Sequence, residues 1–518
     1  MRTFFFFLPL LILLSCKEQS PGSKMNTVIN DTVVSDSLRF RESYRPQYHF
    51  SPPTQWMNDP NGLVFNKGTY HLFYQYYPED IVWGPMHWGH ATSKDLVKWK
   101  HQPIALYPDS LGYIFSGSAV VDHTNTSGLG SKDYPPMVAI YTYHNMEGEK
   151  AGRSDFQTQG IAYSLDQGQS WKKYKNNPVI GNPDGIRDFR DPKVMWHEPS
   201  QRWIMTLVAG DHAKFYSAPD LIHWTHISDF GKDDGAHGGV WECPDLFRLQ
   251  TADGQETKWV LLISINPGAP NGGSGTQYFI GDFDGTQFTT TQTAPKWLDY
   301  GSDNYAGVTY NGLPDQERRF IGWMSNWNYA QKTPTKNWRS AMTLARKLAL
   351  VKLDQGFFLQ QQPVDQLDAY LSKDPTIVKI SDTVYRASAF NQHKITLDIK
   401  KSDGPFSLHF ENEVNQKLTL GWQAKTATFF IDKTRSGLTQ FEPRFADRVH
   451  TAPLPFDLDK DIKIELYIDA SSIEVFVNGG LLTMTEQVFP TQPYTRMTIA
   501  GNVATSLPTF SKVARIWD

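Results

Sequence analysis

The sequence predicts an all-β protein, a five-bladed β-propeller followed by a C-terminal β-sandwich. Five times after residue 45, a polar or acidic cluster opens an apolar strand, a turn follows, and an aromatic-rich strand returns. After about residue 377, alternating runs such as IKIELYID follow one another at the spacing of a sandwich. Few helical patterns interrupt either part.

The repeated units open at Asn58, Ser116, Arg190, Glu242 and Asp303. Between them a second motif recurs, in which an aromatic residue follows a turn, as in SKDLVKWK and SAPDLIHWTHI. Four strands per unit at a period of roughly 50–75 residues are typical of propeller blades. In a propeller the first strand of each blade lines the central channel, so residues that open distant units meet at one axial pocket. Asp59, Asp191 and Glu242 are therefore expected to share it.

The turn WMNDPNG raises an alternative for Asp59. Asn, Asp, Pro and Gly all favour turns, so this carboxylate could serve only to shape a loop. A loop-shaping Asp does not explain acids at the same point of two later units. The repeat therefore favours a functional carboxylate at Asp59.

Composition narrows the functional classes. The 518 residues include 50 Lys and Arg against 54 Asp and Glu, a net charge of −4, and no long basic run is present. A nucleic-acid partner is therefore not expected. With two cysteines the chain can form at most one disulfide, and the fold needs none.

The N-terminus has the pattern of a secretion signal. Arg2 precedes an apolar run at 4–14, and Leu-Leu-Ser-Cys ends at Cys16, which resembles the cleavage box of bacterial lipoproteins. The resemblance implies a signal peptide at 1–16, lipidation of Cys16 and a polar tether at 17–44. It also implies attachment to a membrane of the bacterial cell envelope, and three locations stay open: the outer membrane, its exposed outer surface and the periplasmic face. An ordinary signal peptide with an incidental cysteine is the alternative.

Five motifs then occur in one order along residues 45–518. They are WMNDPNG, FSGS, FRDP, ECPD and GWMSNWNYAQKTPTKNWRSAMTLARKL. Together they resemble glycoside hydrolase family 32, the β-fructosidases. The resemblance implies a retaining enzyme that removes terminal β-D-fructofuranosyl units from levan, inulin, fructo-oligosaccharides or sucrose. The last motif is more similar to the exo-acting inulinases and levanases than to endo-acting members.

The resemblance also implies roles for the three acids: Asp59 is the nucleophile, Glu242 the acid/base and Asp191 the stabiliser of the transition state. Retaining glycosidases hold their two carboxyl groups roughly 5–5.5 Å apart. Close like charges raise one pKa, so one carboxyl of such a group can stay protonated and act as an acid near neutral pH.

Further pocket residues follow from the same resemblance. Substrate-binding positions are expected at Asn58, Gln75, Trp83, Phe115, Ser116, Arg190, Tyr305 and Trp323, where the aromatic residues Trp83, Phe115 and Trp323 form walls. Any of them could instead pack within a blade. Cys243 is interpreted as a buried packing thiol. No metal or organic cofactor is expected, because His87 and His90 lack a third ligand at suitable spacing.

The predicted domains are the propeller at 45–350, a connector with a short helix at 351–376, and the sandwich at 377–518. The sandwich is expected to support the propeller. Two alternatives to a β-fructosidase stay open: an inverting five-bladed glycosidase acting on arabinans or xylans, and a surface glycan-binding protein without turnover. The oligomeric state is left open.

Overall fold

The computed structural model describes residues 40–400, 404–456, 458, 460–501 and 505–517. Cys16 and the predicted signal segment lie outside these residues. Within this part, no helix has the length and apolar character needed to cross a membrane. Strands are the main secondary structure of the described residues, and the all-β class is confirmed.

Antiparallel sheets occupy the N-terminal two thirds. The first contains β1 (Gln55–Asn66), β2 (Thr69–Tyr77), β3 (His87–Ser93) and β4 (Trp99–Leu106). The second contains β5 (Tyr113–Val121), β6 (Met137–His144), β7 (Gln157–Ser164) and β8 (Lys172–Lys173), with helix α1 (Met146–Lys150) between β6 and β7. The third contains β9 (Phe189–His197), β10 (Arg202–Ala209), β11 (His212–Ala218) and β12 (Thr225–Phe230).

Two more sheets follow. The fourth contains β13 (Val240–Gln250), β14 (Thr257–Asn266), β15 (Gly275–Phe283), β16 (Phe288–Thr289) and β17 (Lys296–Trp297). The next strands are β18 (Tyr305–Thr309), β19 (Arg319–Met324), β20 (Trp338–Arg339), β21 (Ala341–Met342), β22 (Arg346–Leu353) and β23 (Gly356–Pro363). All of these except β20 form the fifth sheet, whereas β20 pairs in parallel with the start of β1.

The first strands of these sheets meet around one axis. Among the described residues, β1 contacts β5, β5 contacts β9, β9 contacts β13, β13 contacts β18, and β18 returns to β1. This closed order is the arrangement of a propeller, in which first strands surround a central channel. It brings residues far apart in sequence to one axis.

Each first strand has an irregularity in its pairing near the same end. The breaks in register lie at 57–60 in β1, 114–117 in β5, 190–193 in β9, 242–245 in β13 and 305–308 in β18. An extra residue in one strand re-aims its side chain and leaves backbone groups free for other partners. Asp59, Ser116 and Asp191 lie within these bulges, and Glu242 lies at the edge of one.

The fifth sheet extends past the predicted boundary at residue 350. Strands β22 and β23 form a hairpin up to Pro363, in the stretch where the sequence predicts a connector. Leu348, Leu350 and Leu359 are buried, so the hairpin contributes to the core. A 3-10 helix at Asp365–Tyr370 follows as the link to the second domain.

The C-terminal domain consists of two sheets. One is built from β24 (Leu371–Lys373), β27 (His393–Ile399), β32 (Ile462–Ile468), β33 (Ser472–Val477), β34 (Leu482–Gln487) and β36 (Thr509–Val513). The other is built from β25 (Val378–Lys379), β26 (Val384–Arg386), β28 (Phe406–Glu411), β29 (Lys417–Gln423), β30 (Thr428–Arg435), β31 (His450–Pro453) and β35 (Arg496–Gly501). Alternate residues such as Leu397, Leu408 and Ile464 form one buried core, as in a β-sandwich.

Buried charges join this sandwich to the propeller. Arg346 of β22 donates from Nη1 to Asp299 Oδ2 at 3.0 Å and from Nη2 to Glu474 Oε2 at 2.5 Å. The other oxygen of Glu474 lies 2.9 Å from His49 Nε2, and His49 Nδ1 lies 2.8 Å from Asp469 Oδ2. Because each charge has an opposite partner, the interface is held at one geometry.

Candidate active site

Asp59 lies in the central channel, where side chains from two sheets hold its carboxylate. Ser116 Oγ donates to Asp59 Oδ2 at 2.6 Å, and Asn58 Nδ2 donates to Asp59 Oδ1 at 2.9 Å. Asn58 is itself fixed by the indole N–H of Trp56 at 2.7 Å. Both oxygens of the carboxylate are therefore oriented, and the turn does more than shape a loop.

Asp191 lies beside Asp59, with Cys243 in contact with both. Cys243 Sγ is 3.6 Å from Asp59 Oδ2 and 3.6 Å from Asp191 Oδ2, and the Cys243 N–H donates to Asp191 Oδ2 at 3.0 Å. Asp191 and Cys243 have φ of +66° and +46°, values that non-glycine residues rarely adopt. The bulges thus impose backbone strain that turns an amide towards a carboxylate. Cys243 is buried, as expected, but it also binds two acids.

Glu242 is oriented by Arg190 and Tyr305. Arg190 Nη2 and Nε donate to Glu242 Oε1 at 3.0 and 3.2 Å, and Nη1 donates to Asp188 Oδ1 at 2.6 Å. The Tyr305 hydroxyl donates to Glu242 Oε2. Tyr305 therefore lies beneath the acid, positions it, and is itself fully buried.

The crowded carboxylates shift one another's titration. Burial raises the pKa of Asp59, the charge of Glu242 adds to this, and the hydrogen bonds from Ser116 and Asn58 oppose it. Burial likewise raises the pKa of Asp191 to about 7, with Arg190 opposing and the neighbouring carboxylates reinforcing the shift. Such shifts are typical of active sites, where acids must exist in different protonation states.

A cavity of about 350 Å³ opens above the three acids. Asn58, Gln75, Trp83, Phe115 and Ser116 all line it, as predicted. Gln75 Nε2 donates to Asn61 Oδ1 at 2.7 Å, which fixes the amide. The cavity therefore combines polar groups near the acids with aromatic walls.

Trp323 was predicted to form a wall of the cavity, but it lies behind the wall. Trp323 is fully buried in β19 and packs against Trp327, with ring centroids 4.9 Å apart. The half-buried Trp327 is the residue that lines the cavity, because the loop after β19 folds over the strand. Trp323 thus supports the wall, and Trp327 forms it.

Several cavity residues were not among the predicted substrate-binding positions. They are His144, Glu149, Phe156, Gln157, Asp188 and Gln331. His144 stacks on Phe115 at 4.2 Å and lies 3.0 Å from Glu149 Oε2. Burial lowers the pKa of His144 to about 4 despite Glu149, so the ring is neutral at pH 7. His144 belongs to β6, Glu149 to α1, Gln157 to β7 and Gln331 to a 3-10 helix at Ala330–Lys332, whereas Phe156 and Asp188 lie in loops. Asp188 precedes the FRDP motif and Gln331 lies within the last motif, but the other four lie outside the five motifs.

A layer of polar contacts closes the channel below the acids. Lys193 Nζ lies 3.2 Å from Asp245 Oδ2, which also accepts from the Thr309 N–H at 2.5 Å. Asn311 Nδ2 donates to Ala119 O at 2.8 Å and to Val194 O at 3.1 Å. The cavity over the acids is therefore closed at its base.

Oriented carboxylates at the base of a polar and aromatic cavity define a glycoside hydrolase. The chain matches the family models for the glycosyl hydrolases family 32 N-terminal domain over residues 49–363 and the family 32 C-terminal region over residues 366–518. The protein belongs to glycosyl hydrolase family 32.

Individual relatives cover most of the chain. A levanase of Bacillus subtilis is 46% identical over 88% of this chain and 68% of its own length. An extracellular exo-inulinase of Aspergillus niger is 40% identical over 90% of this chain and 93% of its own. The crystal structure of an exo-inulinase from Aspergillus awamori has a TM-score of 0.84 at 37% identity, covering 92% of this chain and all of that one.

Proposed function

We propose that the protein is a retaining exo-β-fructosidase that hydrolyses terminal β-D-fructofuranosyl units of levan, inulin, fructo-oligosaccharides or sucrose. The observation that carries the proposal is the meeting of Asp59, Asp191 and Glu242 around Cys243 and Arg190 at the base of one cavity. The similarity to enzymes named levanase and exo-inulinase supports this substrate class.

In the proposed reaction, Asp59 attacks the anomeric carbon as the bond to the leaving oxygen breaks. Glu242 gives its proton to that oxygen, and a fructosyl ester forms on Asp59. Water then attacks the same carbon, Glu242 takes the proton from the water, and the ester bond breaks to release fructose and free Asp59. The hydrogen bonds from Ser116 and Asn58 hold the attacking carboxylate in place.

Asp191 has the role of binding the sugar and stabilising the transition state. Its carboxylate is aimed by the Cys243 N–H, which donates to Asp191 Oδ2 at 3.0 Å. As positive charge develops on the ring, hydrogen bonds from sugar hydroxyls to this carboxylate strengthen. Arg190 separates the charges of Asp188 and Glu242 and keeps Glu242 turned towards the leaving oxygen.

The closed base supports exo-action. A cavity of about 350 Å³ that ends at the Lys193–Asp245 layer has room for a terminal ring and no exit for a chain beyond it. Trp83 and Trp327 narrow the walls. An internal attack needs an open groove on both sides of the scissile bond.

Chromatography of early digests of levan and inulin tests this function. Fructose as nearly the sole early product is the expected result, and a ladder of oligosaccharides would show an endo-enzyme. Carbon-13 NMR of C2 in the first-formed fructose should show the β-furanose anomer, since inversion would favour the arabinan or xylan alternative. Absence of sugar release from levan, inulin and sucrose would favour the non-catalytic glycan-binding alternative.

The N-terminal pattern supports a second proposal, that the enzyme is lipid-anchored through Cys16 to the bacterial cell envelope. Stable anchoring takes more than one acyl chain, which a lipoprotein-type modification supplies. Cys243, the other cysteine, is buried, so labelled fatty acid should enter at Cys16 alone. Cys16→Ser should abolish labelling and give soluble enzyme or unprocessed precursor; unchanged membrane fractionation would refute the anchor.

A further inference from the structure

A second cavity of about 340 Å³ lies at the other end of the propeller axis. Its walls come from the far ends of first strands, including Val120–Val121 of β5, Met195–His197 of β9 and Leu246–Arg248 of β13. Trp196 lies five residues beyond Asp191 on β9, which is about 16 Å along an extended strand. We name it the distal cavity; Trp196, Trp203, Trp259, Arg248, Asp315 and Arg318 are among its lining residues.

The distal cavity is separate from the catalytic one. The layer of Lys193, Asp245, Thr309 and Asn311 lies between the two, and Asn311 itself lines the distal side. A ligand therefore reaches the distal cavity from solvent on its own face. It can be occupied while the catalytic cavity is also occupied.

Indole rings form one wall of the distal cavity. Trp196 and Trp259 are half-buried, so each keeps an accessible ring surface. Trp196 is fixed by its N–H bond to Glu198 Oε2 at 2.6 Å and by Trp203, whose ring centroid is 5.1 Å away. Trp259 packs edge-on against Phe283 at 5.4 Å. Rings held in this way provide flat apolar surfaces at little entropic cost.

Two arginines and an aspartate supply polar groups to the same cavity, and Arg248 is the cross-strand neighbour of Trp259. Arg248 Nε donates to Asp315 Oδ2 at 2.8 Å, and Arg318 Nη2 donates to Asp315 Oδ1 at 3.0 Å. Arg318 is 8% exposed, and its Nε has no hydrogen-bond partner among the described residues. Together with Glu198, the cavity carries two positive and two negative side chains on its walls. This balance disfavours a charged ligand.

Fixed indoles beside a balanced set of Arg and Asp groups suit a neutral polyhydroxylated ring, which stacks on the apolar surface and binds guanidinium and carboxylate groups through its hydroxyls. We propose that the distal cavity is a second saccharide-binding site for fructan chain. The choice of fructan rests on the proposed function. A chain held there stays at high local concentration near the enzyme, which favours polymers over sucrose.

Calorimetric titration of the Asp59→Asn variant with a fructose tetrasaccharide tests the site directly. Two sites per chain are expected, falling to one when Trp196→Ala and Trp259→Ala are added. Trp224→Ala is the matched control, since Trp224 is half-buried on the same domain and lines neither cavity. A single site in Asp59→Asn, or two sites that survive both substitutions, would overturn the proposal.

Kinetics of the otherwise unchanged enzyme provide the second readout. Arg248→Ala and Trp196→Phe are milder variants at the same cavity, and Arg248 is an exposed side chain whose loss leaves the core intact. Each should raise KM for levan or inulin by about threefold or more and leave sucrose turnover unchanged. Equal KM values for the polymer in parent and variants would count against the distal site. A parent without fructan turnover would contradict the proposed function instead.

Discussion

Ser116 donates a 2.6 Å hydrogen bond to Asp59 from a different sheet, so the carboxylate is oriented by two neighbouring blades. This bond lowers the pKa of Asp59 against the effect of burial. Ser116→Ala should therefore raise that pKa and move the acid limb of the kcat/KM profile to higher pH. A roughly 10- to 100-fold loss is expected, the cost of one hydrogen bond to a charged group.

Ser118→Ala is the control for this prediction. Ser118 lies two residues further along β5, and its hydroxyl bonds to Pro192 O and receives the Val194 N–H instead of touching Asp59. The acid limb of the kcat/KM profile of Ser118→Ala should stay at the same pH as in the parent. An unshifted limb in Ser116→Ala would show that the serine does not tune Asp59.

Removal of the proposed nucleophile should abolish turnover and preserve the fold. Asp59→Ala loses the covalent step, so activity should fall by at least about a thousandfold on every substrate. Far-UV circular dichroism should match the parent, because Asp59 lines the catalytic cavity and is not part of a blade core. More than about a tenth of parental activity would refute the assignment.

Glu242→Ala should behave differently. An acid is needed most when the leaving group is poor, so loss on sucrose or inulin should exceed loss on a fructosyl fluoride by at least about tenfold. Asp59→Ala, measured in parallel, should lose activity on both substrates by the same factor. Equal losses for Glu242→Ala would argue against its role as the proton donor.

Asp191→Asn should lose turnover and gain thermal stability, and the gain should depend on pH. The pKa of Asp191 is raised from 3.8 to about 7, so its contribution to stability is fully present below pH 3.8 and is lost as the pH rises through 7. An amide does not ionise. The Tm advantage of the variant should thus grow from pH 4 to pH 8, to on the order of a few °C, while turnover is lost. A Tm difference that is the same at pH 4 and pH 8 would contradict this.

The interface between the domains should weaken at alkaline pH. Burial opposes the charged form of His49, but the hydrogen bonds and charges of Asp469 and Glu474 outweigh it and raise the pKa of His49 from 6.5 to about 9. The stabilisation is fully present below pH 6.5 and lost as the pH rises through 9. His49→Gln should lower Tm most near pH 6, with the deficit shrinking towards pH 10.

His223→Gln is the matched control, because this His is 78% exposed and its ion-pair partner among the described residues is the nearby Asp220. Its Tm should track the parent throughout. Parallel Tm curves for His49→Gln and the parent from pH 6 to pH 10 would show that His49 does not carry the alkaline loss.

The sequence was sufficient to predict the acids and the axis on which they meet. Asp59, Asp191 and Glu242 open units of one repeat, and a repeat places equivalent positions together whatever the loops do. The all-β class follows from the same periodicity.

The finer geometry depends on contacts that no local pattern encodes. Trp327 and Trp323 are four residues apart, and only the path of the loop decides which one faces the cavity. Glu149 and Phe156 come from segments without a distinctive sequence pattern. The β22–β23 hairpin resembles a connector in sequence. Its buried leucines belong to a core whose other members lie 28 to 112 residues earlier in the chain, from Phe320 back to Phe247.

The polar layer of Lys193, Asp245, Thr309 and Asn311 has a kinetic consequence for an enzyme that works from chain ends. Fructose released beneath the remaining chain has no rear exit, so it leaves through the mouth by which the substrate entered. The shortened chain must therefore withdraw before the sugar can escape. The active site alone therefore cannot hold a polymer from one bond to the next, and in the variant without the distal-cavity residues Trp196 and Trp259 the chains in a digest should shorten together instead of one by one.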